Sequence, residues 1–210
     1  MATESHRRLL DSLDSLSDEA ARTPSLLPGW TVGHVLAHLA LNATSQARVL
    51  AAGKSDGEPV AQYPGGREGR PQAIEAASGR PAAVLVADLA RAYTAVEQSW
   101  VLADDAAWAA ESMTTRGSRP NATLPYRRLR ENEIHRVDLG SAGGDYDWTM
   151  MPRDFVAITV RELTRQWSSR RPMGMATLPT EVLALPEPTR LAWLTGRLPL
   201  PTTPAANLFE

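Results

Sequence analysis

Four stretches of this chain repeat apolar residues at helical spacing, and each is punctuated by proline, glycine or a hydroxyl side chain, which commits most of the sequence to helices. The sharpest runs Leu27-Pro-Gly-Trp-Thr-Val-Gly-His-Val-Leu-Ala-His-Leu39. Thr31 follows a Pro-Gly-Trp turn and is placed to cap a helix, while Val32, Val35, Leu36, Leu39 and Leu41 supply a stripe of roughly 3.6-residue period. That helix runs to about Ala52, where Gly53 offers a stop. His34 and His38 share one face of it, and residues so spaced lie roughly 5–6 Å apart at Cβ.

The other elements fall on either side. Ala2 to Arg22 reads as one amphipathic helix with Leu9, Leu10, Leu13 and Leu16 inward and His6 at a solvated end. Lys54 to Gly69 is dense in glycine and proline and reads as loop. Its Gly65-Gly66 pair is not a phosphate loop, because no Gly-Lys-Ser/Thr follows. Gln72 to Ser78 forms a short helix and Pro81 to Leu102 a long one, with proline in its first turn. Around Met113 a short extended segment crosses to a helix over Leu124 to Leu139, closed by Gly140. The fold expected is mainly α, a four-helix bundle over residues 1–142. Residues 143–210 form a small C-terminal appendage, α+β or irregular. It holds a helix over Phe155 to Trp167, a proline-rich stretch from Arg170 to Pro188 and a last short helix over Thr189 to Thr195.

Composition narrows the function. With 210 residues and 43% hydrophobic content the chain buries a sizeable core, and no apolar run approaches the roughly 18 residues of a membrane span. Neither a membrane role nor export is expected, which places the protein in the cytoplasm. A net charge of −2, with basic residues scattered and not striped, opposes nucleic-acid binding. There is no cysteine, so any metal must be held by His, Asp or Glu, and any thiol chemistry must borrow its sulfur.

The chemical candidates lie on the second and fourth bundle helices. Glu131 and His135, four apart, share a face and form a two-point platform for a divalent ion. One imidazole from His34 or His38 would complete a His2Glu set, which suits zinc with an open fourth position. Glu133 is a rival, but two residues from His135 it points to another face. Asp138 stands three beyond His135, where it could orient the imidazole. The same spacings also serve a surface Glu–His pair and a hydrogen-bonded core histidine.

Two segments carry a family resemblance. The Leu27–Leu39 stretch and Arg130-Glu-Asn-Glu-Ile-His-Arg-Val-Asp-Leu-Gly140 resemble the signatures of the mycothiol-dependent maleylpyruvate isomerase family. Tyr63-Pro-Gly-Gly-Arg67 and Trp193-Leu-Thr-Gly-Arg197 are similar to further family segments, in the same order. The resemblance implies a DinB-like four-helix bundle holding a divalent metal, usually zinc, through His38, Glu131 and His135, with His34 as a packing or supporting residue. It implies mycothiol as the thiol and a small electrophilic or acidic substrate. A metal-bound thiolate would add to the cis double bond of maleylpyruvate, the bond would rotate, and elimination would give fumarylpyruvate. The same site could pass the thiol to an electrophile as an S-transferase, or the fold could persist as a non-catalytic metal-binding or interaction module. Arg197 is the candidate catalytic residue, a guanidinium fork for a substrate carboxylate. Arg67 and Arg70 could meet an acidic ligand, and Tyr63, Trp30 and Trp148 could line a pocket. The C-terminal part is shorter than the α/β domain common in the family.

Overall fold

The computed structural model describes residues 1–52, 60–63, 66–114, 117–171 and 177–209. Its chain falls into two compact units, Met1–Asp145 and Tyr146–Glu210. The first contains α1 (Ala2–Ser12), α2 (Asp18–Arg22), α3 (Val32–Ala51), β1 (Val60–Ala61), α4 (Gly66–Ser78), α5 (Ala82–Leu102), α6 (Asp105–Ala109), β2 (Glu111–Thr114), β3 (Gly117–Pro120) and α7 (Leu124–Asp138). The second contains α8 (Arg153–Ser169), α9 (Thr180–Leu183) and α10 (Glu187–Leu194). No helix among the described residues is long and apolar enough to cross a membrane.

In the first unit α3 packs on α5, α4 and α7, and α1 closes the bundle against α7 and α5. Leu9, Val35, Leu36, Leu39, Leu85, Leu89 and Val96 form its core, each at most 2% exposed. Burying a side chain of this kind contributes about 1.5–3 kcal/mol, so the stripes read from the sequence drive the assembly. β1 pairs parallel with β2, which pairs antiparallel with β3, giving a three-stranded sheet that carries Gln62 and Tyr63 just beyond β1.

α7 buries polar groups as well as apolar ones, as α3 does with Asn42, Ser45 and Gln46. Arg128 and Asn132 are fully buried and Glu133 nearly so. Each has partners: the Arg128 Nη1 donates to Asn42 Oδ1 at 2.5 Å, and the guanidinium lies over the Tyr93 ring at 5.8 Å. Asn132 donates to Ser5 Oγ at 2.7 Å and accepts from the Tyr93 hydroxyl, while Ser5 donates to Glu133. Pairing of this kind lowers the cost of burying polar groups, although Arg128 Nε and Nη2 meet no acceptor among the described residues. The network ties α1, α3 and α5 to one register of α7.

Several local readings change. The single helix expected over 2–22 is two, because the Ser12 hydroxyl turns back to Leu9 O (2.7 Å) and Ser17 caps a new start by accepting from Ala20 N (3.1 Å). His6 is not solvated. It is 1% exposed, stacks on Tyr93 at 3.8 Å between centroids, and places Nδ1 2.7 Å from the Glu97 carboxylate. Of the expected loop over 54–69, residues 54–59 and 64–65 lie outside the described residues, and 66–69 are helical. α4 thus absorbs the short helix expected over 72–78 and carries Pro71 in its first turns. The second unit shows no strand among its described residues, so the appendage is helical and irregular. Trp167 and Trp193 meet edge to face at 5.1 Å in its core.

Two consequences follow for stability. A Cβ on Gly33 would stand 2.3 Å from Ser78 O and 3.2 Å from Ala21 O, so α3 comes this close only because residue 33 is glycine. Gly33→Ala gains about 1 kcal/mol of helix propensity but must push the backbones apart, and a net loss of about 1–3 kcal/mol is expected in urea unfolding. Burial pushes His6 down to about 3, with the Arg128 charge acting the same way. The unfolded chain therefore binds a proton at pH 5 that the native state refuses, and stability falls as pH drops below the ordinary value of about 6.5. His6→Phe should shrink the loss between pH 7 and pH 5 by about 1–2 kcal/mol. An unchanged loss would mean that His6 stays protonated against Glu97.

Candidate metal centre

The turn before α3 sets one wall of the site. Gly29 has φ +79, which lets Leu27 O accept from Trp30 N at 3.1 Å, and Ser25 Oγ donates to Trp30 O at 2.9 Å. α3 then opens with a reciprocal cap: Thr31 Oγ1 accepts from His34 N, and His34 Nδ1 accepts from Thr31 N at 3.2 Å. Histidine fills the place of the usual Glu or Gln. Its other nitrogen meets Glu75 at 3.1 Å, so the first imidazole of the pair is spent on the helix start.

One turn later His38 is 2% exposed and faces α7. Its Nε2 is 3.0 Å from Glu131 Oε2, and that oxygen is 3.5 Å from His135 Nε2. The two imidazoles meet edge to face at 4.7 Å, and one ligand atom from each of the three residues lies within 4.8 Å of the others. No other trio of His, Asp and Glu among the described residues comes this close. Trp30 stands edge-on to His38 at 5.7 Å and limits its rotation.

The supporting contacts are unequal. His135 Nδ1 is 2.8 Å from Asp138, which is fully buried, so the imidazole is turned with Nε2 inward. Asp138 is pinned in turn, since its carbonyl accepts from Leu26 N at 2.8 Å at the base of the Trp30 turn. His38 Nδ1 instead faces the Arg70 Nη2 at 3.1 Å, a donor. The ion-free His38 therefore carries its proton on Nε2 and donates it to Glu131. Burial pushes His38 down to about 3, although its bond to Glu131 pulls upward. For His135 burial also pulls down, but the bonds to Asp138 and Glu131 outweigh it and raise the imidazole above its ordinary value. Burial works against the Glu131 carboxylate, yet His135 and His38 together hold it well below the usual range.

The remaining candidates scatter. Glu133 is 2% exposed and accepts from Ser5 on the far side of α7. Arg197 belongs to the second unit, where Nη1 donates to Thr195 O at 2.5 Å and the guanidinium lies over Phe209 at 5.2 Å. Trp148 is in that unit too. Tyr63 accepts from Asn42 Nδ2 at 3.2 Å and lies 6.0 Å from Arg70. The Arg67 side chain, with the Pro64-Gly65 part of its segment, lies outside the described residues. One neighbour escaped the sequence reading. Arg127 stands one turn before Glu131 on the face that carries Glu131 and His135, and the four-residue spacing is the signal that marks it in the sequence.

As a donor set, the trio fits a tetrahedral cation. Ligands about 2.0–2.1 Å from zinc sit roughly 3.3 Å from one another, between the two separations measured here. Two His and one Glu leave a fourth position for water or a substrate atom.

Comparison with known proteins gives the fold and the family. The chain superposes on the crystal structure of the mycothiol-dependent maleylpyruvate isomerase with a TM-score of 0.80 and 22% identity, over 94% of this chain and 87% of that one. A variant of that enzyme with one histidine replaced by alanine gives 0.80 and 21% over the same shares. Among curated protein sequences none matches. Residues 2–140 match the family model described as the mycothiol maleylpyruvate isomerase N-terminal domain, and the chain therefore belongs to that family.

Proposed function

We propose that His38, Glu131 and His135 hold a divalent cation, zinc by the character of the donors, and that the protein is a thiol-dependent enzyme. The reading favoured is cis–trans isomerisation of maleylpyruvate or a close analogue, with mycothiol as the thiol, in the cytoplasm where small thiols stay reduced. The observation that carries it is the convergence of three ligand atoms within 4.8 Å, with Asp138 already turning His135 inward. Family membership supports the thiol and the substrate class.

The chain's own residues prepare the site. Asp138 fixes one imidazole, Trp30 limits the other, and Glu131 supplies the negative charge that a cation needs. A bound cation lowers the pKa of a thiol in its open position and so supplies a thiolate near neutral pH, the nucleophile that this cysteine-free chain lacks. Arg197 stands as the candidate for a substrate carboxylate by its segment's resemblance.

The decisive measurements are metal content and thiol-dependent turnover. His38→Ala and His135→Ala are expected to lose stoichiometric zinc in equilibrium dialysis, and Glu131→Gln to weaken it, while His34→Ala and Glu133→Gln retain it. Equal retention by all five would remove the ligand assignment. Turnover of maleylpyruvate with mycothiol supports the isomerase; permanent thiol transfer to a generic electrophile makes the protein an S-transferase, and zinc binding with neither leaves a binding module.

Arg70 gives a second test. Ligation through His38 Nε2 requires the proton on Nδ1, where it would meet the Arg70 donor. Arg70→Ala should therefore tighten zinc by roughly threefold to tenfold, the scale of one modest hydrogen bond. Zinc affinity that is unchanged or lower would show that Arg70 does not compete for the His38 lone pair.

A further inference from the structure

Arg127 poses a problem of pairing. Its Nη2 donates to Gln62 Oε1 at 2.9 Å, and Gln62, 6% exposed, is itself held by Nε2 to Ser45 Oγ at 3.2 Å and by backbone N to Met113 O at 2.8 Å. The guanidinium is thus fixed in place. Its Nη1 is buried and meets no acceptor among the described residues, which costs free energy unless something absent from the free protein fills the place.

The surroundings favour an anion there. Arg127, Glu131 and His135 follow one another at four-residue spacing along α7, so the guanidinium stands a turn from the ligand trio on the same face. Arg130 and Arg119 bear on Arg127 with like charge, and Glu131 is the carboxylate that opposes them. Arg70 adds a further cation at His38, beside Tyr63. Burial and the neighbouring arginines make the positive charge of Arg127 harder to carry, a penalty that a bound carboxylate would relieve. A planar guanidinium with one arm clamped and one arm bare offers a fixed hydrogen bond to such an oxygen.

We propose that Arg127, clamped by Gln62, is a positioning residue that receives a carboxylate of the substrate through Nη1 beside the His38–Glu131–His135 site. This rests on the functional reading above and deepens it: substrates are electrophiles that carry a carboxylate a short reach from the reacting carbons, and the helical unit itself supplies an anion contact. Neutral electrophiles gain nothing from it.

The test uses the full-length, zinc-loaded protein and maleate as an unreactive dicarboxylate probe. Calorimetric titration of maleate should show a dissociation constant about ten- to a hundredfold weaker in Arg127→Gln than in the parent protein, the range for a charge-assisted hydrogen bond. Arg127→Lys should recover part of the loss, and Gln62→Leu, which releases the clamp, should lose several-fold. Zinc content and thermal unfolding of each variant establish that the site and fold persist. In turnover, Arg127→Gln should raise KM for maleylpyruvate by a similar factor with kcat within about threefold, and leave thiol addition to the neutral N-ethylmaleimide unchanged. Equal maleate affinity in parent and Arg127→Gln overturns the proposal and leaves Nη1 to ordered water; so does an equal loss toward N-ethylmaleimide, which marks a structural role. Should the parent show no thiol-dependent turnover, the functional reading fails, and the maleate titration still decides the role of Arg127 by itself.

Discussion

A carboxylate lying between two imidazoles is the interaction on which this structure turns. Glu131 reaches 3.0 Å from His38 and 3.5 Å from His135, in a place where an unpaired charge would be expensive. Holding the three side chains there fixes α3 against α7, and everything that fixes those helices serves the same end. Gly33 admits the close approach of α3 to its neighbours, the Thr31–His34 cap sets where α3 begins, and the Leu26–Asp138 bond ties that beginning to the end of α7. The site is a property of this junction more than of any single helix.

The buried polar face of α7 explains why the junction has one register. A helix with a purely apolar stripe can slide by a turn at modest cost, because one aliphatic contact replaces another. Asn132 and Glu133 cannot, since each would leave a donor or acceptor without a partner inside the bundle, and Arg128 would lose the Asn42 bond that its Nη1 makes. Asn42, Tyr93 and Ser5, from three different helices, are the partners that make one alignment far cheaper than the rest. Rigidity of this kind would suit the proposed metal site, whose ligand atoms must meet within a few tenths of an ångström.

The electrostatics around the trio are divided by side. On one side Asp138 and Glu131 hold the proton on His135 and favour its inward orientation. On the other, Arg70 and Arg127 present guanidiniums, one against an imidazole nitrogen and one with an arm to spare. A cation lies naturally toward the carboxylates and an anion toward the arginines. On the proposed reading, a cation and a substrate carboxylate would each find groups of opposite charge around this one cluster.

Much of this was legible in the chain. Apolar periodicity and proline–glycine punctuation determined the long helices, because a helix is a local structure whose stripe and caps are written in neighbouring residues. Spacing placed Glu131 with His135 and set Glu133 aside, because a helix has only one periodicity. Resemblance, not periodicity, chose His38 over His34, and it was the tertiary structure that gave His34 a different use as a cap. The burial of His6 was hidden, since a histidine near a terminus looks the same in sequence whether or not a distant ring such as Tyr93 packs on it; the contact is made across the bundle. The break between α1 and α2 was hidden for a subtler reason, as serine hydroxyls competing for backbone groups leave the apolar pattern intact. What only the folded molecule decided is the set of contacts between segments distant in the chain: Arg70 at His38, Gln62 at Arg127, Asp138 under the Trp30 turn. Those contacts depend on packing that sums over the whole core, and no short stretch of sequence contains it.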